Sequence, residues 1–481
     1  MNRASGEGQH RLPGNRIVRR RLRAQQVIDV PPPPPPVSAP DAGFHAKQFF
    51  LAYTALVVVG TILLQLPWAT ADGERTPLLD AFFTAVSASS VTGLVVVDTR
   101  DHWSFMGELV ILLLIQAGGL GFMVGASIVL TVLRQGESLR GAMLLQDGTP
   151  TMSIDEALRL SRRILRFLLV VESVGAVCLS IYFLQFEPVP RAIWHGIFTS
   201  VSAFCNAGFD LQGSFQSMAD HRNSWWLNIV LMLLIQSGAL SFIVFSDIWE
   251  NRSWRRLALD VKLVLVMNAA LLVVGTVVFL VAEWQGNLGT SAEQRVQAAL
   301  FQSTSLRTAG FATINFGDLH MASIFASVGI MAVGGASGST AGGMKLATVG
   351  VIGLAIYSVV RGDDNVHAFG RRIGEQVVFR ALSVVVLFVS MHFVLTIILS
   401  ITEQAAGHSF GFAALMFETM SGMATVGLTT GITPLVSDLG KVVLCVAMFF
   451  GRLGPLTVAY ALQGRQRRRL YRLPEAQIRI G

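Results

Sequence analysis

The chain carries the sequence Ser90-Val91-Thr92-Gly93-Leu94 between two apolar runs, and three later stretches match it. They read Asn206-Ala207-Gly208-Phe209, Arg307-Thr308-Ala309-Gly310-Phe311 and Ala424-Thr425-Val426-Gly427-Leu428. In every copy a phenylalanine and then a hydroxyl side chain precede the glycine, and an apolar residue follows it. The hydroxyl residues at equivalent positions are Ser87, Ser202, Thr304 and Ser421. A pattern that recurs at a nearly regular interval indicates an internal repeat, here in four copies.

Composition indicates that the repeat belongs to an integral membrane protein. Of the 481 residues, 52% are hydrophobic and only 14% are charged, whereas about 25% are charged in an ordinary soluble chain. Disordered, collagen-like and nucleic-acid-binding chains are excluded. A bilayer core takes about 20 apolar residues per helix. Eight such runs are present, at 46–68, 105–133, 164–186, 225–248, 261–284, 321–359, 376–402 and 436–462.

Basic residues predict the orientation of these runs. Most of the 37 Lys and Arg residues lie in the two terminal tails and in connections on the same side of the eight predicted spans. Positive charge is retained in the cytoplasm, so both termini should be cytoplasmic. The net charge of +7 then reflects topology and contact with anionic lipid, with no nucleic-acid partner. Cys178, Cys205 and Cys445 do not form a disulfide framework, because their number is odd and they lie in apolar or pore-like segments.

The segment before each repeated glycine is apolar but too short to cross the membrane, so we predict that it forms a re-entrant half-helix. The Thr/Asn-x-Gly stretch that follows would be extended backbone inside the membrane. Free carbonyls are tolerated there only where they line a watery path or meet an ion. Four such stretches around one axis would form rings of carbonyl oxygens, which suit a dehydrated monovalent cation. The half-helices would also point their negative ends at the axis.

As a set, the four stretches resemble the pore loops of the Ktr/Trk/HKT superfamily of potassium transporters, over about residues 46–462. With eight predicted spans, the chain is more similar to the bacterial KtrB type than to the TrkH type. The resemblance implies a pseudo-fourfold pore in each protomer, a homodimer, and a cytoplasmic ring of nucleotide-binding gating subunits of the KtrA or TrkA type. In related plant transporters a serine at the first filter position accompanies sodium selectivity. That position is Gly93 here, which favours potassium.

The expected architecture is an all-α integral membrane protein of eight transmembrane helices and four half-helices around a pseudo-fourfold pore. Its predicted parts are an Arg/Pro-rich disordered tail (1–45), four repeats (46–135, 136–250, 251–360 and 361–463) and a basic C-terminal tail (464–481). The long N-terminal tail departs from the family pattern. The predicted filter triplets, which act mainly through backbone carbonyls, are Val91–Gly93, Asn206–Gly208, Thr308–Gly310 and Thr425–Gly427.

The sixth run contains the segment Gly334-Gly335-Ala336-Ser337-Gly338-Ser339-Thr340-Ala341-Gly342-Gly343-Met344-Lys345. Each glycine inside a helix costs about 1 kcal/mol relative to alanine, which argues against a continuous helix here. Broken backbone inside a membrane must be buried or face a cavity. We therefore predict a gate loop at 334–344 beneath the filter, as the resemblance also implies, in the third repeat. Close helix packing through small residues is the alternative. The predicted gate residues are Gly334, Gly335, Gly338, Gly342, Gly343, Lys345 and Arg452.

Arg452 lies in the middle of the eighth run and is nearly the only charged side chain at such a place. A mid-span arginine is too costly to face lipid, so we expect it beside the gate loop, where it repels cations or donates to free carbonyls. A structural arginine away from the pore is the alternative. Two further stretches, Gln116–Gly119 and Gln236–Ala239, repeat in the second and fourth runs and predict close helix packing.

Charged residues also flank the filter triplets. Asp98, Asp210 and Asp318 follow three of them and could concentrate cations at the pore mouth, although aspartates that cap loops are common. Arg307 precedes the third triplet and should pair with a carboxylate, for which Glu418 is the candidate.

Selective potassium uptake across the cytoplasmic membrane is therefore the predicted function, with no organic cofactor on this chain. A sodium-selective or non-selective cation transporter of the same family remains an alternative, as does a secondary transporter of a small solute. An enzyme is not expected, because the sequence has no HExxH, GxSxG or clustered His and carboxylate motif.

Overall fold

The computed structural model describes residues 42–137, 154–363 and 365–454, and their regular structure is almost entirely helical. Residues 1–41 of the predicted N-terminal tail, the end of the eighth run and the C-terminal tail lie outside the described residues. The first helix begins at Ala42, four residues before the predicted start of the first run. One antiparallel hairpin pairs β1 (His367–Ala368) with β2 (Arg371–Arg372).

Fifteen α-helices are described. In chain order they are α1 (Ala42–Leu64), α2 (Leu78–Ser90), α3 (Thr99–His102), α4 (Phe105–Glu137), α5 (Ile154–Phe183), α6 (Val189–Cys205), α7 (Trp225–Leu240), α8 (Phe242–Asn251), α9 (Leu259–Ala282), α10 (Ala292–Ser305), α11 (Met321–Met331), α12 (Leu346–Arg361), α13 (Glu375–Ala405), α14 (Phe412–Met423) and α15 (Asp438–Leu453). The four predicted half-helices correspond to α2, α6, α10 and α14.

Three helices are long and apolar enough to cross a membrane: Leu158–Phe183, Leu259–Ala282 and Glu375–Ala405. The pair α7 and α8 would make a fourth crossing if it counts as one bent span. The long helices are apolar on their outer faces, as on α9, where Val273, Val277 and Val281 are 61%, 50% and 77% exposed. An exposed apolar surface of this kind suits contact with lipid.

The half-helices pack in a cyclic order. Three of them lie between the long helices that precede and follow them: α2 between α1 and α4, α6 between α5 and α7, and α14 between α13 and α15. The helix after each half-helix also packs on the next half-helix, so that α4 contacts α6, α7 contacts α10, α11 contacts α14, and α15 contacts α2. These contacts close a ring.

Local sequence determines where the half-helices begin and end. Pro77 and Pro188 precede α2 and α6, where a proline removes no needed donor. Ser291 begins α10 with a capping box that it shares with Gln294. At the other end, Val91 and Asn206 adopt left-handed backbone angles that terminate α2 and α6.

The fourth apolar run was predicted as one continuous span, and that prediction is wrong. The helix ends at Leu240, Ser241 has a φ of 73°, and α8 leaves at 89° to α7. Ser241 caps α8 by accepting a hydrogen bond from Ile243 N at 3.3 Å. The break predicted in the sixth run is present, since α11 ends at Met331 and α12 begins at Leu346.

Candidate ion pathway

The four predicted filter triplets meet around one point. A side chain placed on the glycine of any triplet would collide with backbone of the next triplet, in the order first, second, third, fourth, first. The Cβ would lie 2.3 Å from Ala207 O for Gly93, 3.0 Å from Ala309 O for Gly208, 2.6 Å from Val426 O for Gly310, and 2.0 Å from Thr92 O for Gly427. The glycines therefore form a closed ring in which only a hydrogen fits between neighbouring strands.

Every triplet begins and ends in the left-handed backbone region. The first residues are Val91 (φ 58°), Asn206 (60°), Thr308 (65°) and Thr425 (51°). The glycines have φ values of 96°, 71°, 81° and 91°. A left-handed angle is easy for glycine but a genuine outlier for a β-branched residue. Backbone strain of this kind costs about 1–3 kcal/mol per residue and is typical of functional sites.

Hydroxyl side chains from the half-helices hold the triplets in place. Ser87 Oγ accepts a hydrogen bond from Gly93 N, and Ser421 Oγ accepts one from Gly427 N, both at 3.1 Å. In the second copy Ser202 Oγ donates instead to the carbonyl oxygen of the residue after the glycine, at 2.6 Å. Each serine therefore joins the end of a half-helix to its own filter triplet.

The third copy uses a different hydroxyl from the one that the repeat predicts. Thr304 donates to Leu300 O within its own helix, at 2.9 Å. Ser305, one position later, donates to Phe311 O at 2.5 Å and supports the triplet. The shift accompanies an earlier helix end, because α10 ends at Ser305, five residues before Gly310, whereas α2 and α6 end three residues before their glycines.

The predicted gate loop lies against the filter-side ends of two half-helices. A Cβ on Gly342 would lie 2.0 Å from Thr425 Oγ1 in the fourth triplet. Thr340 Oγ1 donates to Phe204 O, two residues before the second triplet, at 3.2 Å. The loop is closed at its base by a hydrogen bond from Gly334 N to Met344 O at 2.8 Å.

The gate loop donates backbone hydrogen bonds to the last turn of α7, next to its bend. Gly238 O and Ala239 O, at the end of α7, accept hydrogen bonds from Thr340 N at 3.3 Å and Ala336 N at 2.8 Å. A straight helix would use these carbonyls internally. The bend at Ser241 therefore follows from the loop that packs beneath it.

Arg452 joins the gate loop to a helix of the first repeat. Its side chain is 2% exposed. Nη1 donates to Thr340 O at 2.5 Å, and Nη2 donates to Gly118 O on α4 at 2.7 Å. Lys345 Nζ donates to Ala341 O, within the loop, at 2.6 Å. The guanidinium thus connects α15, the loop at 334–344 and α4 through two backbone carbonyls.

Close packing is present at the repeated glutamine–glycine stretches. A Cβ on Gly118 would lie 2.0 Å from Ser89 O, and one on Gly238 would lie 1.8 Å from Phe204 O. Gly451, which the sequence analysis did not single out, has the same relation to Met423 O, at 2.0 Å. These glycines let the helix after a half-helix approach the last turn of that half-helix.

A family model described as "TrkH: Cation transport protein" matches residues 38–463, which include every residue that the structure describes. This chain belongs to the TrkH family. The resemblance inferred from the four repeated stretches is confirmed, and the protein is a cation-transport protein of the membrane.

Two bacterial uptake proteins match nearly the whole chain. The potassium/sodium uptake protein NtpJ of Enterococcus hirae is 36% identical over 441 residues, which cover 91% of this chain and 96% of NtpJ. The Ktr system potassium uptake protein B of Bacillus subtilis is 33% identical, with coverages of 91% and 96%. The crystal structure of the potassium transporter TrkH from Vibrio parahaemolyticus shares the fold, with a TM-score of 0.69, 21% identity and coverages of 88% and 85%.

The prediction that Arg307 pairs with Glu418 is wrong. Arg307, 2% exposed, donates through Nη1 to the amide oxygen of Asn268 rather than to Glu418. The Glu418 carboxylate accepts hydrogen bonds from the hydroxyl groups of Thr429, Thr430 and Thr433, at 2.6–3.0 Å. These threonines follow the fourth triplet, so Glu418 stabilises the loop after that triplet through hydrogen bonds.

The three aspartates after the filter triplets all accept loop hydrogen bonds. Asp98 caps α3 and also accepts from Phe215 N at 2.7 Å. Asp210 accepts from Gln212 N at 3.0 Å, and Asp318 accepts from the Asn315 side chain at 2.9 Å. Loop capping is therefore observed, and a role in concentrating cations stays a prediction.

We expect uptake to fall as the external pH drops through the titration of Asp210. This residue lies outside the apolar helices, and burial raises the pKa of its carboxyl to about 6, with a further contribution from the Asp98 carboxylate. Above that pH the group is charged and attracts cations, and below it the group is neutral. Initial uptake rates should be compared between about pH 7.5 and about pH 5. Asp210→Asn should remove this dependence and Asp318→Asn should keep it; equal profiles in all three proteins would contradict the role.

Proposed function

We propose that this chain is the membrane subunit of a potassium-uptake system and that its four repeats surround one selective pore. The closed ring of Gly93, Gly208, Gly310 and Gly427 is the observation that carries the proposal. Strands packed so closely bring backbone carbonyls together around a narrow axis, and carbonyl oxygens can replace the hydration shell of a monovalent cation. The names of NtpJ and of the Ktr system protein support potassium as the ion.

The electrostatics of the half-helices favour a cation in the ring. At most two residues separate the end of each half-helix from its triplet, so its negative C-terminal end faces the triplet. The four triplets contain no charged side chain; their polar side chains are three threonine hydroxyls and the amide of Asn206. A backbone filter of this kind discriminates by the number and spacing of its oxygens rather than by side-chain charge.

In this proposal the gate loop and Arg452 close the ion pathway. The loop lies against the ends of α6 and α14, and Arg452 fixes it to α4. Movement of the loop away from the filter would open the path. A cytoplasmic nucleotide-binding subunit of the KtrA or TrkA type is the proposed source of that movement, and the working unit is proposed to be a homodimer.

The proposed topology has eight crossings, both termini in the cytoplasm and the repeat boundaries given above. The asymmetric distribution of Lys and Arg supports this orientation. The cyclic packing of α2, α6, α10 and α14 supports four structural repeats.

Sodium transport is the second candidate, because NtpJ carries the name of a potassium/sodium uptake protein and is 36% identical to this chain. Gly93 at the first triplet favours potassium. Measuring potassium and sodium fluxes on the same protein distinguishes the two candidates.

Expression in bacteria that lack their own potassium uptake should restore growth at low external potassium. The chain is expressed with and without a KtrA- or TrkA-type subunit, and the Gly310→Ser variant serves as control. Rescue that disappears in the control supports the filter, and dependence on the added subunit supports the proposed gating. Verified membrane expression without rescue under either condition would refute potassium uptake, and sodium flux would then be measured.

A further inference from the structure

A buried polar cluster lies behind the second filter triplet. Cys205, the residue before Asn206, has its Sγ 3.6 Å from Gln116 Oε1 and 3.9 Å from Glu172 Oε1. Gln116 Nε2 donates to Glu172 Oε2 at 3.1 Å. Cys205 is fully buried, and Glu172 is 6% exposed. The cluster therefore connects α4 and α5 to Cys205, the residue immediately before the triplet.

An equivalent cluster lies behind the third triplet. Arg307, the residue before Thr308, donates to Asn268 Oδ1, and Asn268 Nδ2 donates to Gln236 Oε1 at 3.2 Å. The positions correspond one to one. Glu172 and Asn268 lie on the helix before the half-helix, and the two glutamines stand two residues before the close-packed glycines of α4 and α7.

The other two copies have different side chains at the corresponding places. Tyr53 on α1 packs on Phe449 of α15, with ring centroids 5.1 Å apart. Ala424, the residue before the fourth triplet, lies in an apolar cluster that also contains Ala332 and Phe388. Among the described residues, the second and third copies thus have a carboxyl or a guanidinium side chain at these positions, whereas the fourth copy has His392, with Nδ1 3.5 Å from Thr419 Oγ1.

Neither ionisable side chain has an opposite charge beside it among the described residues. Glu172 is bound by an amide and a thiol, and Arg307 by an amide. A buried ionisable group inside a membrane is costly and marks a functional site by default. Glu172 contacts Cys205, which precedes the left-handed residue Asn206. Arg307 itself precedes the left-handed residue Thr308. Displacing that residue would change the angles that aim the triplet's carbonyls.

We propose that Glu172 and Asn268, each with its glutamine, are positioning residues that hold the second and third filter triplets and so determine ion selectivity. This inference rests on the proposed function, namely that the triplets form a selective filter. Glu172 acts through Cys205, and Asn268 acts through Arg307. Neither side chain contacts the ion.

The test compares two carboxyls that have the same exposure and contact opposite ends of the same half-helix, α6. Glu108, also 6% exposed, accepts a hydrogen bond from Trp194 Nε1 at 2.5 Å near the start of α6. Glu172 contacts Cys205 at the other end of α6, next to the filter triplet. The full chain is reconstituted in vesicles, and the K⁺/Na⁺ flux ratio is measured. Glu172→Leu should lower the ratio about tenfold, Glu172→Gln should restore it, and Glu108→Leu should leave it unchanged.

Two further variants test whether Glu172 acts through Cys205. Cys205→Ala should lower the ratio in the same direction, and combining it with Glu172→Leu should add little, because residues in one network are not additive. If Glu172→Leu does not insert, Gln116→Leu removes the same hydrogen bond from the other side. Asn268→Asp, which places a carboxylate beside Arg307, should change the ratio through the third triplet.

The outcomes separate this inference from the proposed function. A wild-type protein without potassium selectivity would refute the proposed function, whatever the variants do. A selective wild-type protein whose ratio is the same in Glu172→Leu, Gln116→Leu and Glu108→Leu would overturn the positioning role and leave the filter intact.

Discussion

Replacing Gly427 with alanine is expected to abolish selective uptake, with a loss of about a hundredfold or more in the potassium flux. The added Cβ would lie 2.0 Å from Thr92 O, and both the φ of 91° and the opposing backbone are fixed. The left-handed angle alone costs an L-residue about 1–2 kcal/mol. The collision is worse, because it can be relieved only by moving the first triplet, and a hundredfold loss corresponds to about 2.7 kcal/mol.

Gly431 provides a matched control for this prediction. Its φ is 93°, it lies in the loop after the same triplet, and a Cβ there would meet nothing within 4 Å. Gly431→Ala therefore has the same backbone strain without the collision. Potassium flux into vesicles should be nearly normal for Gly431→Ala, and Thr425→Ser should also be milder than Gly427→Ala. Equal losses in the two alanine variants would mean that backbone strain, rather than the ring of close contacts, limits transport.

Sequence periodicity predicted the parts of the fold that repeat. The four stretches around Gly93, Gly208, Gly310 and Gly427 could be aligned with one another because each has to satisfy the same packing. The break in the sixth apolar run was also predictable, since several glycines within a few residues disfavour a helix. The same reasoning failed at Ser241, because one serine in an apolar run does not disfavour a helix. The bend there depends on carbonyls that a distant loop binds.

Long-range contacts account for what the sequence analysis missed at the site. Thr304 has the repeat position, yet Ser305 makes the bond, because α10 ends two residues earlier relative to its glycine than α2 and α6 do, and spacing in the sequence does not show this. A single glutamate does not interrupt an apolar run, so the sequence does not indicate a site at Glu172, although this residue lies within the third predicted span as Arg452 lies within the eighth. The amide of Asn268 replaces the carboxylate expected beside Arg307, and no local pattern relates those two positions.

Val91, Thr308 and Thr425 illustrate a different limit. Threonine and valine are β-branched and favour extended strands, so a sequence argument predicts extended backbone at the triplets. The structure has left-handed angles there instead. Only the closure of the ring, with support from Ser87, Ser305 and Ser421, holds these residues in a conformation that they disfavour.

Replacing Arg452 with glutamine is expected to release the gate loop and raise potassium flux in the absence of any cytoplasmic gating subunit. The guanidinium donates to Thr340 O on the loop and to Gly118 O on α4. Hydrogen bonds from a charged donor contribute about 1.5–3 kcal/mol each. Loss of both should shift the loop towards its open position, and unstimulated flux should rise about tenfold.

Arg452→Lys distinguishes bridging from simple charge repulsion. A lysine keeps the positive charge, but its single ammonium cannot reproduce the planar fork that reaches two separate carbonyls. If the charge alone closed the path, Arg452→Lys would behave as the wild type. If the bridge between Thr340 and Gly118 closes it, as the geometry indicates, Arg452→Lys should leak almost as much as Arg452→Gln. Selectivity should be retained in both variants, since the ring of glycines is untouched; a loss of K⁺/Na⁺ discrimination would mean that Arg452 acts on the filter and not on the gate.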